Sequence, residues 1–180
     1  MGTPMAWNLH EADFLAAVYN RTRSKTQPFV DAGVSASDTP ADLARDVDVI
    51  LVMVTDDAAL GDVLEGPDGV LSGLGDGRIV VNASTVSIEA TERAASAVEE
   101  AGSQFVDAPV SGTVGPAEAG TLTVLASGPD GALDVVKPNA EARIRPSILT
   151  VTVSLARTNA THQGAIRSFD TFVESVVVDV

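Results

Sequence analysis

The sequence predicts an α/β protein with a mostly parallel sheet and helices on both of its faces. Across residues 1–138, stretches with helical spacing of apolar side chains alternate with short extended runs, the order expected of successive βα units. The clearest of those runs, residues 48–54 (DVILVMV), is apolar throughout, as a strand covered on both faces must be.

The elements follow in order. Met5, Ala6, Leu9 and Ala12 share a face, which predicts a helix over residues 3–12, and residues 14–19 (FLAAVY) read as a buried strand. Residues 20–25 form a basic turn and residues 26–32 a short helix. Ser37-Asp38-Thr39-Pro40 has the make-up of a helix start, with a capping side chain and a proline in the first turn. After the strand at 48–54, Asp56-Asp57 can cap a helix over residues 57–65, and Gly66, Pro67, Gly69, Gly73, Gly75 and Gly77 mark a loop-rich connection. Residues 79–82 form a strand. Residues 87–101 form a strong helix, opened by Ser87 in a cap-like S-x-x-A and stopped by Gly102. Phe105 and Val106 enter another strand, residues 121–126 (TLTVLA) form a further one, and residues 130–136 form a last helix.

Composition narrows the function. With 180 residues, 45% hydrophobic and 20% charged, the chain can bury one core and reads as globular. It has no cysteine, which excludes disulfides, thiolate catalysis and cysteine-held zinc or iron–sulfur centres. His10 and His162 are the only imidazoles and lie far apart in sequence, so no metal site is expected. A net charge of −14 argues against nucleic acid as a partner and suits a salt-rich cytoplasm. No apolar run approaches the roughly 18–20 residues that span a bilayer, and residues 1–4 lack the basic start of a secretion signal, so a soluble cytoplasmic protein without a membrane partner is expected. Residues 1–138 hold 21 acidic and 7 basic side chains, while residues 139–180 hold 4 of each and no lysine. That shift predicts a domain over 1–138 followed by a divergent C-terminal tail.

Three segments carry a resemblance. Met1-Gly2-Thr3-Pro4-Met5-Ala6 is similar to the end of a phosphate-binding glycine loop, G-x-G-x-M-G-x-P-M-A, whose last glycine lets the helix pack on its strand. Val18-Tyr19-Asn20-Arg21-Thr22-Arg23-Ser24-Lys25 is similar to the turn that follows a second strand. Most specific is the string from Phe105 to Thr123, FVDAPVSGTVGPAEAGTLT, close to D-A-P-V-S-G-G-x-x-G-A-x-x-G-T-L-T. In order and spacing, over about residues 1–138, these resemble the β-hydroxyacid dehydrogenases of the 3-hydroxyisobutyrate dehydrogenase type, which share an NADP-binding domain with 6-phosphogluconate dehydrogenase. Asn82-Ala83-Ser84-Thr85 and Met53-Val54-Thr55-Asp56-Asp57 fall where the family has further loops.

The resemblance implies a Rossmann-like sheet with ligands outside the carboxyl ends of its strands. It implies cofactor contacts at Gly2, Asn20, Arg21, Thr22, Val54, Thr55 and Thr85, and a substrate carboxylate held by Ser111, Gly112 and Thr113. NAD-selective enzymes usually place an acid at the end of the second strand. Here Asn20, Arg21 and Thr22 stand there, and Arg21, with Arg23 or Lys25, suits a 2′-phosphate, which favours NADP over NAD. The implied partner is a small hydroxy acid.

The chain also departs from the pattern. The family's first strand and first two glycines would precede Met1, so the expectation is a sheet with its first strand missing and a gap whose buried backbone groups cost about 1–3 kcal/mol each. No counterpart is found to the family's catalytic lysine in G-x-x-x-K-x-x-N-N or to its helical second domain. Lys137 reads as a solvated helix end, no catalytic residue is assigned, and a homo-oligomer has little support. Residues 148–153 (ILTVTV) would be the substitute strand if the tail completed the sheet. Three readings stand: an NADP-dependent oxidoreductase of small 3-hydroxy acids or their semialdehydes, a non-catalytic nucleotide-binding or scaffold module, or a remnant without a stable fold. Plainer roles stand beside them: Asp56-Asp57 as helix caps, Asp107 bonded to local backbone, and Arg21 and Arg23 as a solvated turn.

Overall fold

The computed structural model describes residues 1–136, 150–151 and 176–178. Six strands lie side by side in the order β2 (Ser35–Ala36), β1 (Ala17–Tyr19), β9 (Val176–Val178), β3 (Val49–Met53), β4 (Ile79–Asn82) and β5 (Gln104–Asp107), and every neighbouring pair is parallel. Because side chains alternate across a strand, an apolar run serves both faces. Ile50, Val52, Val80 and Phe105 pack on one face beneath α3 (Pro40–Arg45), α4 (Asp57–Glu65), α5 (Val70–Gly73) and α6 (Ile88–Glu100). Val49, Ile79, Val81 and Val106 face the other way, toward α8 (Asp130–Val136), and Val18 joins Ala6 of α1 (Gly2–Glu11) and Phe29 of α2 (Gln27–Asp31) on that side.

Local chemistry sets the helix starts. Thr39 Oγ1 accepts the Asp42 amide at 3.0 Å, Asp56 Oδ1 the Ala59 amide at 2.9 Å, and Ser87 Oγ the Ala90 amide at 3.2 Å, each satisfying a donor that the helix cannot. Gly73 lets α5 lie against the backbone of α3, where any side chain would collide with the Ala41 carbonyl. A small second sheet pairs β6 (Val110–Ser111) antiparallel with β7 (Thr123–Val124), and β7 parallel with β8 (Thr150–Val151). The short helix α7 (Val114–Glu118) lies between β6 and β7 in the chain.

Several expectations are corrected. The strand expected over 14–19 is confined to Ala17–Tyr19, because Asp13, with a φ of 63°, turns the chain out of α1 and the Phe14 amide folds back onto the Leu9 carbonyl at 2.9 Å. Of residues 121–126 only Thr123–Val124 is strand, since the Thr121 amide closes α7 by bonding Pro116 O at 2.8 Å. The loop-rich connection holds α5, and the glycine-rich string after β5 holds β6 and α7. The sheet has no gap: β9 lies between β1 and β3, in register with Val18 and Tyr19 on one side and Leu51, Val52 and Met53 on the other. The inserted segment is Val176–Val178, whereas Thr150–Val151, within the alternating run at 148–153, joins the small sheet. Lys137, His162 and the rest of the tail lie outside the described residues.

Candidate functional site

Parallel strands bring their carboxyl ends to one edge, and in such a sheet that edge is where loops can surround a ligand. Here it gathers Asn20, Arg21 and Thr22 after β1, Val54 and Thr55 after β3, and Thr85 after β4. Helix α1 ends beside the amino end of β1, so its start, ten residues and about 15 Å away, returns to the carboxyl edge. Gly2 is buried there, no side chain caps the first turn, and no acid lies in it. Pro4 has no N–H and the Met5 amide bonds Met1 O, so the amides of Gly2 and Thr3, with the macrodipole behind them, are the donors an anion could meet there.

Each predicted residue has a definite setting. Asn20 is buried, and its Oδ1 accepts the Thr22 amide at 2.8 Å, so it shapes the turn that presents the exposed Arg21 and Thr22. Arg23 forms an exposed ion pair with Asp38, beyond the end of β2. Val54 has a buried side chain, so it can offer only backbone to a ligand; Thr55 and Thr85 are exposed. Ser111, Gly112 and Thr113 are exposed on the loop leading into α7. Gly112 has a φ of 147°, and a Cβ there would meet Leu122 Cδ2 at 2.6 Å, so this turn requires glycine.

Residues that were not among the predicted site residues hold these loops together. Ser84 Oγ accepts the Val54 amide at 2.9 Å, Asn82 Oδ1 accepts the Ser84 amide at 3.1 Å, and Asn82 Nδ2 donates to Asp107 Oδ1 at 3.2 Å. Asn82 and Ser84 are 0% and 1% exposed. Burial pushes the half-buried Asp107 carboxyl above the ordinary carboxylate value, and the Asn82 hydrogen bond opposes that rise. Asn8 Nδ2 donates to Pro4 O at 2.9 Å and to Ala117 O at 2.7 Å, docking α7 on α1. Thr3, Pro4, Trp7, Asn8, Glu11 and Glu118 line an open cavity of about 190 Å³ between those helices. The available signal was polar residues directly after an all-apolar run, at Asn82-Ala83-Ser84.

The paired acids divide their work. Asp56 caps α4, and the Ala59 amide and Thr55 hydroxyl lower its carboxyl below the usual value. Asp57 accepts the Ser87 hydroxyl at 2.6 Å and the Ser87 amide at 2.9 Å; these lower its carboxyl and tie α4 to the start of α6. Neither is needed to explain a ligand contact. The donor set at the edge fits an extended anionic ligand: helix-start amides for a pyrophosphate, a guanidinium at the β1 turn, and hydroxyls at Thr55 and Thr85. No helix among the described residues is long and apolar enough to cross a membrane.

Residues 1–143 match the family described as the NAD binding domain of 6-phosphogluconate dehydrogenase. An uncharacterized oxidoreductase of Bacillus subtilis, YfjR, is 38% identical over 138 residues, 77% of this chain and 48% of that protein. The mitochondrial 3-hydroxyisobutyrate dehydrogenase of Bos taurus is 34% identical over 128 residues, 71% of this chain and 38% of that enzyme. Among solved structures, Psf3 in complex with NADP+ and 2-OPP superposes with a TM-score of 0.73 at 28% identity, over 86% of this chain and 54% of that one. The chain thus spans about half the length of the relatives it matches, or less.

Proposed function

Because the chain belongs to the family of the NAD binding domain of 6-phosphogluconate dehydrogenase, alongside the 3-hydroxyisobutyrate dehydrogenases, we propose that it binds NADP along the carboxyl edge and serves oxidation or reduction of small 3-hydroxy acids or their semialdehydes. The observation that carries this is the meeting, at one edge, of the uncapped start of α1, the exposed Arg21 and the exposed hydroxyls of Thr55 and Thr85. A bound nicotinamide dinucleotide supplies or accepts a hydride.

The chain's own residues have these roles in the proposal. Gly2 and the first-turn amides of α1 hold the pyrophosphate. Arg21 and Thr22 hold the ribose end, with Asn20 fixing their turn, and Arg21 selects the 2′-phosphate. Val54 through its backbone, with Thr55 and Thr85, lines the nicotinamide side. Ser111, Gly112 and Thr113 hold the substrate carboxylate, and Asn8 keeps that loop against α1. Residues 1–138 form the nucleotide domain, and the segment after them lends β9 to its sheet.

Nucleotide titration tests the reading. Trp7, the sole tryptophan, lies on α1 beside the cavity, so its emission should be quenched as NADPH binds. Arg21→Ala should weaken NADPH about tenfold or more, the factor for a charge-assisted hydrogen bond, and leave NADH unchanged. Equal losses for both nucleotides would remove the argument for NADP, and no binding of either would sink the proposal.

A second reading, a nucleotide-binding or scaffold module without turnover, is favoured by the groups placed around the substrate loop. Ser111, Gly112 and Thr113 offer hydroxyls and backbone amides, which hold a carboxylate but do not hold a proton for transfer at neutral pH. Binding of NADP+ without its reduction in the presence of 3-hydroxyisobutyrate would select that reading.

A further inference from the structure

Asn82 and Ser84 sit in the interior at the end of an apolar strand, where each unpaired polar atom would cost about 1–3 kcal/mol. Apolar side chains would fill that space at lower risk, and a satisfied network specifies geometry that apolar packing does not. The bonds run from loop to loop: Val54 amide to Ser84 hydroxyl, Ser84 amide to Asn82 carboxamide, Asn82 carboxamide to Asp107 carboxylate. Backbone bonds run the same course, from the Ala83 amide to Val52 O and from the Ala108 amide to Asn82 O, both at 2.8 Å. One side chain, Asn82, therefore touches both the loop after β4 and the end of β5, and reaches the loop after β3 through Ser84.

We propose that Asn82 is a positioning residue that holds the loops after β3, β4 and β5 in one arrangement and passes the protonation state of Asp107 to the Val54 amide, so that nucleotide affinity falls when Asp107 gains a proton. The affinity part rests on the nucleotide reading above. Ionised Asp107 can only accept, which commits Asn82 Nδ2 to it and Asn82 Oδ1 to the Ser84 amide. Protonated Asp107 offers a hydroxyl that competes with the Ser84 amide for Asn82 Oδ1, which weakens the Ser84 bond.

The groups around Asp107 leave it as the titrating end. From β4 it meets only Asn82, and its backbone bridges Ser127. Helix α6 contributes the exposed Glu89 and Glu92 in its first turns and Arg93, which is paired to Glu65 at the far end of α4, and α8 contributes Asp130 and Asp134. What displaces the Asp107 carboxyl upward is burial, opposed by the Asn82 hydrogen bond.

The test uses the full chain and its Asp107→Asn and Ser84→Ala variants, with backbone amide spectra recorded from pH 4 to 8 and calorimetric titration of NADP+ at the same pH values. In the native chain the Val54 and Ser84 amides should shift with the midpoint of the Asp107 carboxyl. In Ser84→Ala the Val54 amide should stop following it while residue 84 continues. Below that midpoint NADP+ affinity should fall about fivefold relative to Asp107→Asn, the factor for one hydrogen bond; titration of the nucleotide's own phosphate is common to both proteins and cancels. Amides indifferent to Asp107 overturn the relay whatever the nucleotide does. Amides that follow it while the affinity ratio stays flat overturn the positioning role. If the native chain binds no NADP+ at any pH, the nucleotide reading has failed and the positioning role with it, and the relay is decided by the amides alone.

Discussion

Between β3 and β5 the carboxyl edge is tied from inside, by four-residue registers on both sides of β4 and by the buried Asn82 and Ser84. At β1 and β2 the described register is shorter: among the described residues β1 shares two register pairs with each neighbour, Asn20 closes a turn, and the Arg23–Asp38 pair lies in solvent. Under the proposed function the two halves would face different parts of an extended ligand. Groups that must meet a reacting atom need fixed positions, because small displacements there cost large factors in rate. A phosphate met by a guanidinium on a turn tolerates adjustment. The interior network is where placement is needed, and the surface pair is where it is not.

The largest effect that would break or sharpen this contrast is in the core beneath the tightly tied half. Ile50→Ala, at a fully buried position of β3, should destabilise the chain by about 2–5 kcal/mol, read as a fall in the midpoint of urea unfolding. A loss below about 1 kcal/mol would mean that β3 is not the centre of the core. Asp107→Asn should have a smaller effect and an unusual sign. An acid whose folded value is raised stabilises the folded state in its protonated form, and that contribution is lost as pH rises through the folded value. At neutral pH the variant should therefore melt above the native chain, and the difference should vanish as pH falls toward the ordinary carboxylate range. Asp56 and Asp57, whose carboxyls are lowered, act oppositely: their contribution is present above the ordinary value and lost as pH falls through the folded ones. A native chain more stable than Asp107→Asn at pH 7 would contradict the burial argument. The smallest effect belongs to the loosely tied half, where Arg23→Ala should change stability by less than about 1 kcal/mol. A loss above 2 kcal/mol, measured by the same unfolding, would erase the distinction between the halves.

Much of this was legible locally. The helix read over residues 57–65 is α4 and the one over 130–136 is α8, because caps and stops act within a turn of chain: Asp56, Ser87 and Gly102 each do their work on neighbours a few residues away. The strand at Ile79–Asn82 matched for the same reason, being an apolar run with polar ends. Residues 14–19 and 121–126 were overextended because apolar character says that a residue is buried, and not that its backbone finds a ladder partner. The motif residues were legible as a set, yet their individual duties were not. Asn20 turned out to hold its own turn, Val54 to offer an amide, and Asp57 to bridge two helices.

By itself the sequence determined the alternation of strands and helices, the both-faced burial of β3, the family, and the grouping of loops expected at a carboxyl edge. These follow from spacing and residue type, which act over one element at a time. Only the tertiary structure decided that β9 occupies the slot between β1 and β3, that Arg23 pairs with Asp38, and that Asn82 joins the ends of three strands. Those outcomes depend on which distant segments become neighbours. Strand pairing and buried hydrogen bonds are satisfied across space, where local spacing carries no information about the partner.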